Sequence, residues 1–382
     1  MLAAAQDAQG EYTFLPQERV IYGIGSLARL AAEADRLGCR RAWVITGRTL
    51  ATETHLIRRV EAILGARHAG TFAGIRQHAP ESGIVEAARL ARASQADLLV
   101  SVGGGSPIDA AKAVARALAP VRGKRGLAGT DGAFPLHIAI PTTLSAAEFS
   151  HLAGFTDEAT KTKTGFADPR ATPRVVILDP EMTLATPLWL WLASGIRALD
   201  HAVETLYSPG YHPVNDVLAL QAIRGLFEFL PRSKAEPDNL DARQQCQLAA
   251  WMSYFGPASV NAAAGLSHTL GKRIGATYDV PHGVTSCIIL AHVIRYKSRS
   301  DEDAARLAPM ARALDQVSPG ASSREAALAA ANAVAGLVQQ LELPSRLRDV
   351  NVPESALESV ARTAVGDSPQ VTDVIEILRQ AW

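Results

Sequence analysis

The sequence predicts a two-part fold: an α/β domain built on a parallel sheet, followed by an all-α domain. Three observations carry this. Short β-branched runs alternate with helix-like segments through the first half, the βαβ pattern of a parallel sheet covered by helices. After Pro187 the texture changes to long Ala- and Leu-rich segments punctuated by Pro and Gly, with hardly any β-branched runs. At 382 residues the chain also exceeds the size at which a single core keeps growing.

In chain order, RAWVIT (41–46), DLLVSV (97–102), LHIAIP (136–141) and RVVILD (174–179) read as strands. The segments around 51–64, 82–94 and 107–118 carry apolar residues at helical spacing. The polar, glycine-rich stretch 120–135 reads as a surface loop. The switch in texture puts a boundary near 180–187, giving domains 1–183 and 184–382. No internal repeat or low-complexity tract interrupts them.

Lys and Arg number 38, as do Asp and Glu, so nothing suggests a polyanion-binding or membrane-seeking surface, and nucleic acid is not an expected partner. Cys39, Cys246 and Cys287 are scattered and form no CxxC pair, which argues against a disulfide framework or a zinc ribbon and for free thiols in a reducing compartment. MLAAAQDAQGEY has no cationic head, and no later stretch is apolar enough to span a bilayer, so a cytoplasmic, enzyme-sized protein is expected.

The sharpest local signal is LLVSVGGGSPIDAAKAVA (98–115), a buried strand running through three glycines into a helix. Ser106 suits an N-cap, Pro107 the first helical position, and Asp109 the first turn beside the positive end of the dipole. Gly103, Gly104 and Gly105 would let a phosphate approach their amides at the helix N-terminus, forming a pyrophosphate cradle. The spacing is not GxGxxG. The alternative is a tight turn that binds nothing, although three glycines lose more backbone entropy than a simple turn requires.

Thr142 and Thr143 follow a strand directly, where ligands of open parallel sheets lie. Gly47 and Arg48 follow the first predicted strand, where such sheets usually carry a ribose-reading carboxylate. With none present, a 2′-phosphate should be tolerated and NADPH accepted alongside NADH.

In the second half stand His201, within ASGIRALDHAVETLY (193–207), and His268 and His282, within GLSHTLGKRIGATYDVPHG (265–283). Singly, each reads as a core or surface imidazole. His268 and His282 would lie about 21 Å apart on one continuous helix, so a joint site requires a chain break near Gly275 and Pro281.

These residues carry a resemblance. YGIGSLARL, GGGSPIDAAK, IPTT, ILDPEMT, HAVE, GLSH and PHG occur in the order found in the iron-type (group III) alcohol dehydrogenase family, which includes the maleylacetate reductases. The resemblance covers nearly the whole chain. It implies an N-terminal NAD(P)-binding domain, a helical catalytic domain, a substrate cleft between them, and a homodimer; dehydroquinate synthase and glycerol dehydrogenase relatives share the architecture. In metal-dependent members an aspartate and three histidines hold iron or zinc. The histidines match His201, His268 and His282, but the aspartate position is Arg197, and a further family histidine is Lys272.

Arg197 and His201 share a helix face at i and i+4, which places a fixed cation where the ion would sit, while Asp200 suits an i,i+3 pair with Arg197. Arg197 is therefore expected to replace the divalent ion as electrophile. Three histidines with water as fourth ligand is the chemical alternative.

The loop IPTTLSAAE and the segment 161–184 resemble the maleylacetate reductase branch, which carries asparagine at the aspartate position; PHGVTS resembles ordinary alcohol dehydrogenases. What the resemblance implies is hydride transfer from NADH or NADPH to an oxo acid or enoate. Arg197 would stabilise developing charge, His268 and His282 would position substrate and relay a proton, His201 would shape the site, and Lys163 would reach cofactor or substrate. Lys272 and Arg273 would suit a dicarboxylate, or else form a solvated helix end. Two other readings are an alcohol or aldehyde dehydrogenase and a nucleotide-binding protein whose catalytic site has decayed.

Overall fold

The computed structural model describes residues 11–119, 134–160, 162–208, 212–259, 265–366 and 368–382. Most of the stretch 120–135 expected as a surface loop lies outside the described residues. The chain divides into two compact units, one spanning Phe14–Pro187 and the other Leu188–Trp382 with residues 11–13. The junction falls at Pro187 rather than after residue 183. The intervening residues are tied to the sheet, since Thr186 Oγ1 donates to the Thr142 carbonyl at 2.8 Å.

In the first unit, strands β1 (Arg19–Tyr22), β2 (Ala42–Thr46), β3 (His68–Phe72), β4 (Leu98–Gly103) and β5 (Leu136–Pro141) precede an antiparallel hairpin, β6 (Leu152–Asp157) and β7 (Thr162–Ala167), and then β8 (Val175–Leu178). Six strands form a parallel sheet in the order β1-β8-β5-β4-β2-β3. Helices α1 (Leu30–Arg36), α2 (Arg48–Glu53), α3 (Leu56–Leu64), α4 (Glu81–Ala93) and α5 (Gly105–Leu118) complete the unit.

Every residue of β2 and β4 is buried, as a sheet covered on both faces demands. Alternate residues serve opposite faces. Val44, Val100 and Val102 pack with Leu56, Val60 and Leu64 of α3, whereas Ile45 and Leu99 pack with Ile84 and Ala87 of α4 and Val114 of α5. β3 lies to one side of β2 and β4 to the other, so chain direction across the sheet reverses there. The carboxyl ends of β2 and β4 flank that switch point.

The four expected strands are present, and four more join them. β1 is short, while β3, β6 and β7 contain glycine or mostly polar residues, so none presents a run of β-branched residues. The helix expected over 51–64 is two helices, because Thr54 is extended and its Oγ1 accepts from the Leu56 amide at 3.2 Å.

A buried lysine fastens the hairpin to α5. Lys112 is fully buried and its Nζ donates to the carbonyls of Ala147 and Leu152, both at 2.7 Å, and to Asp109 Oδ1 at 3.2 Å. Asp109 Oδ2 accepts from the Gly154 amide at 3.2 Å. Beside Lys112 lies Glu148, also buried, whose Oε2 has no hydrogen-bond partner among the described residues. Burial pushes this carboxyl up to about 7, against the pull of the Lys112 charge.

The second unit comprises α6 (Leu188–Tyr207), α7 (Pro213–Ala235), α8 (Leu240–Ser253), α9 (Phe255–Ser259), α10 (Leu266–Tyr278), α11 (His282–Lys297), α12 (Asp301–Ala313), α13 (Ser323–Gln340), α14 (Leu357–Val365) and α15 (Val371–Gln380). α6 is its axis, buried without interruption from Trp191 to Glu204 and contacted by α7, α8, α10, α11 and α12. Among the described residues no helix is long and apolar enough to cross a membrane.

The raised Glu148 has a sign that can be checked. A carboxyl whose folded pKa exceeds its unfolded value contributes stability below the unfolded pKa and loses it as pH rises through about 7. Glu148→Gln, permanently neutral, should match the wild type in stability near pH 4 and exceed it near pH 8 by up to about 3 kcal/mol, with a correspondingly higher Tm. Thermal melts followed by circular dichroism measure this, and a gap independent of pH would contradict it.

Candidate functional site

At the end of β4, Gly103 adopts φ +143°, and a Cβ there would meet Pro107 Cγ at 2.8 Å. A side chain at Gly104 would press on Thr143, with its Cβ 3.1 Å from Thr143 Cγ2. Gly104, not Ser106, is the N-cap of α5, and Ser106 is the second helical residue. The Ser106 hydroxyl serves a distant loop instead, accepting from the His78 amide at 3.1 Å. Pro107 is consequently third rather than first in the helix, still within the turn whose amides have no helical acceptor. Asp109 lies beyond the first turn, held by Lys112 and Gly154.

No described residue accepts a hydrogen bond from the amides of Gly104, Gly105 or Ser106. Three N–H groups thus stand at the positive end of a 14-residue helix, the arrangement that binds phosphate.

Thr142 and Thr143 are buried and brace this turn: the Thr142 amide donates to the Gly103 carbonyl at 2.9 Å, and the Thr143 side chain backs Gly104. Gly47 caps α2 and Arg48, exposed, begins it. A Cβ at Gly47 would come within 3.3 Å of the Ile75 carbonyl. On β7, Lys163 pairs in register with Thr156; a Cβ at Gly154 would be 3.2 Å from Lys163 Cε and 3.7 Å from Asp109 Oδ2. The hairpin therefore sets Lys163 beside Gly154 and close to Asp109 of α5.

Sequence reasoning missed His78 and Ala79, which adopt left-handed φ values of 62° and 48° next to that turn. Thr156 clamps them, its hydroxyl donating to the His78 carbonyl at 3.1 Å and its amide to the Ala79 carbonyl at 3.3 Å. Such strain persists only where surrounding structure enforces it.

In the helical unit, α6 carries Arg197, Asp200, His201 and Glu204 at i, i+3, i+4 and i+7, all on one face and all buried. Arg197 Nη1 donates to Asp200 Oδ2 at 3.1 Å and to Ser286 Oγ at 2.9 Å, while Nη2 contacts His268 Nε2 at 2.5 Å. Asp200 Oδ2 also accepts from Ser267 at 2.9 Å and Ser286 at 2.6 Å. The ring of His201 lies 5.4 Å from that of His268 and edge-on to Tyr254.

Glu204 caps α10, accepting from the Gly265 and His268 amides, both at 3.0 Å. A Cβ at Gly265 would overlap the Glu204 carboxyl, which would have to move aside and disturb these bonds. Glu204, Ser267 and Ser286 were not singled out from sequence. The spacing 197–200–201–204 was the signal for the first; nothing local marked the serines.

His282 is half-buried at the start of α11, and a Cβ at Gly275 would sit 3.5 Å from its ring. The chain reverses at Asp279, which is left-handed, and Pro281, which precedes α11; Gly275 lies within α10 and is not the break. Lys272 and Arg273 are exposed on α10.

A guanidinium N–H can only donate, so its bond to His268 Nε2 requires the neutral, Nδ1-protonated ring. Burial first, then the Arg197 charge, holds both His268 and His201 well below the usual histidine range. Burial and the neighbouring Asp200 push Glu204 up to about 8. The 3.8 Å approach of His268 Nδ1 to Glu204 Oε2 is therefore contact between a neutral ring and a carboxyl group rather than an ion pair. Burial likewise raises Asp200, opposed by Arg197 and the two serine hydroxyls.

A divalent ion does not fit these residues. The one lone pair of His268 Nε2 is taken by Arg197, and among the described residues no three His, Cys, Asp or Glu side chains are grouped to hold a metal. A divalent ion about 4 Å from a guanidinium would be repelled by roughly 8 kcal/mol, twice the unit-charge value at an effective dielectric constant of about 20.

An α/β unit with three acceptor-free amides at a helix head, together with a helical unit that holds a buried polar cluster, has the makeup of a dinucleotide-dependent oxidoreductase. The iron-containing alcohol dehydrogenase family matches residues 16–180, and the C-terminal region of the Fe-containing alcohol dehydrogenase family matches residues 191–381. The chain belongs to this family, and it is an oxidoreductase. It is 36% identical over 302 residues to maleylacetate reductase 2 of Cupriavidus pinatubonensis, covering 79% of this chain and 77% of that one. It is 33% identical over 373 residues, 95% of each chain, to the maleylacetate reductase of Pseudomonas knackmussii. The crystal structure of maleylacetate reductase from Agrobacterium tumefaciens matches with a TM-score of 0.81 at 27% identity, covering 98% of this chain and 99% of that one.

Gly103→Ala should lower stability by about 1–3 kcal/mol, because it forces a side chain into a left-sided φ and onto Pro107. Gly336→Ala, in α13 with open space around it, should instead raise stability by roughly 0.5–1 kcal/mol. Urea unfolding of the two variants checks the contrast; equal effects would mean that the turn at residue 103 is not constrained.

Proposed function

We propose that the chain uses NADH or NADPH to reduce an anionic oxo acid or enoate of the maleylacetate kind. The observation that carries this reading is the set of three amides at Gly104, Gly105 and Ser106 without acceptors at the head of α5. They would hold the pyrophosphate, with Gly103 permitting the turn and Thr142 and Thr143 bracing it. Gly47 and Arg48 present no carboxylate to repel a 2′-phosphate, which is why either coenzyme would be accepted. Asp109, on α5, and Lys163, on the hairpin, would contact the coenzyme.

The reduced nicotinamide supplies the hydride. Arg197 stabilises negative charge developing on the substrate oxygen, acting from a buried position where electrostatic interactions are strong. His268 and His282 position the substrate and relay the proton, and His201 shapes the site. Lys272 and Arg273 attract the remote carboxylate. A cytoplasmic homodimer completes the reading: the three cysteines are all unpaired, and β1 presents an edge strand to a second copy.

A substrate panel, followed by loss of reduced-nicotinamide absorbance, tests this. Maleylacetate should exceed every uncharged aldehyde in kcat/KM by at least about tenfold, with NADPH within about tenfold of NADH. Preference for uncharged carbonyls would assign an alcohol or aldehyde dehydrogenase instead. Coenzyme binding without any turnover would indicate a decayed site, and no affinity for either coenzyme would remove the reading altogether.

A further inference from the structure

We infer that the Arg197 guanidinium takes the place of a divalent ion in the histidine cluster, so that the reacting anionic oxygen is held by N–H donors and no metal is bound there. The inference rests on the proposed reductase reading only for the identity of that anion.

The guanidinium is anchored on one side and open on the other. Nη1 spends both hydrogens on Asp200 and Ser286, and Asp200 is itself fixed by Ser267. Nη2 gives one hydrogen to His268. Its second hydrogen and Nε–H find no acceptor among the described residues, although the side chain is only 7% exposed. No Arg197 nitrogen is both buried and unpartnered, so these N–H groups keep some solvent access, and an oxyanion arriving from that side is the ligand they would hold. The planar fork suits two oxygens better than a spherical ion would.

Arg197 also disables the cluster as a metal site in two independent ways. It contributes fixed positive charge, and it occupies the His268 lone pair that a metal would need. Asp200 does not compensate: its Oδ2 is taken by Arg197 and the two serines, and its Oδ1, buried without a hydrogen-bond partner, belongs to no group of three metal-binding side chains among the described residues. Small residues let α10 approach, since a Cβ at Gly271 would lie 2.6 Å from Thr285 Oγ1 and 3.9 Å from Arg197 Nη1.

The full-length protein is treated with chelator, dialysed, incubated with Zn²⁺ or Fe²⁺, and analysed by mass spectrometry for metal content. Wild type should retain less than about one ion per ten chains, whereas Arg197→Asp, which frees His268 and adds a carboxylate, should retain about one per chain. Arg197→Gln should lower kcat about 10²–10³-fold while leaving the calorimetric Kd for NADH within about twofold and the metal content at the wild-type level. Stoichiometric metal in the wild type with chelator-sensitive turnover overturns the inference, as does Arg197→Gln with kcat within about threefold of wild type. Should Arg197→Asp not fold, the other two proteins still decide the matter. Metal-free wild type that binds NADH but reduces nothing on the substrate panel would overturn the reductase reading while leaving the metal result standing.

Discussion

The helical unit is organised around a permanent charge that has been taken out of water. A guanidinium does not neutralise by losing its proton, so burying Arg197 inside α6 obliges its neighbours to supply acceptors. Asp200 does so one turn along the same helix, and Ser286 and His268 do so from α11 and α10. Those bonds determine how three helices meet. They also set the protonation of the cluster, because His268 is compelled to be neutral and Glu204, next to the buried Asp200, is pushed toward its protonated form. The histidines thus sit in a field set by the arginine, and their chemistry follows from it.

The α/β unit solves a different problem with the backbone alone. A phosphate site needs N–H groups left without helical acceptors, and a helix begins with such groups by construction. What the sequence must add is room and rigidity. Gly103 and Gly104 give room, one through a φ closed to other residues and the other through contact with Thr143. Rigidity comes from beneath, where Lys112 ties α5 to Ala147 and Leu152 and so fixes the hairpin bearing Lys163. Both units therefore bury a cation, Lys112 in one and Arg197 in the other.

The turn after β4 was legible in the sequence because its signals are local: an apolar run, three glycines, then a helix-forming segment. Its cap was misread by two positions, since a serine at the head of a helix ordinarily caps it, while here Ser106 is claimed by the His78 amide from a loop 28 residues away. The pairing of Arg197 with Asp200 was legible for the same reason, as both lie on one helical turn. The approach of His201 to His268 was not, because it depends on Glu204 accepting from Gly265, 61 residues later, and neither was the placement of His282 beside Gly275, which depends on the reversal at Asp279 and Pro281. The hairpin was invisible for lack of a β-branched run.

A guanidinium and a metal ion differ in more than charge. A metal polarises an oxygen through a coordination bond, can acidify a bound water, and exchanges its ligands. Arg197 can do none of these. It offers directional donors whose positions are set before substrate arrives, with Asp200 and Ser286 bearing the cost of orientation. Such a site favours a substrate that already carries negative charge or develops it on an oxygen within reach of a planar fork, and it gives little help in deprotonating a neutral alcohol. A fixed cation at residue 197 would stabilise an oxyanion or enolate equally in either direction of hydride transfer, so it bears on the charge of the substrate and not on the direction of the reaction, and any proton the reaction moves needs a separate acceptor. The neutral His268 could accept one only by giving up its bond to Arg197, which is the bond that holds the two groups together.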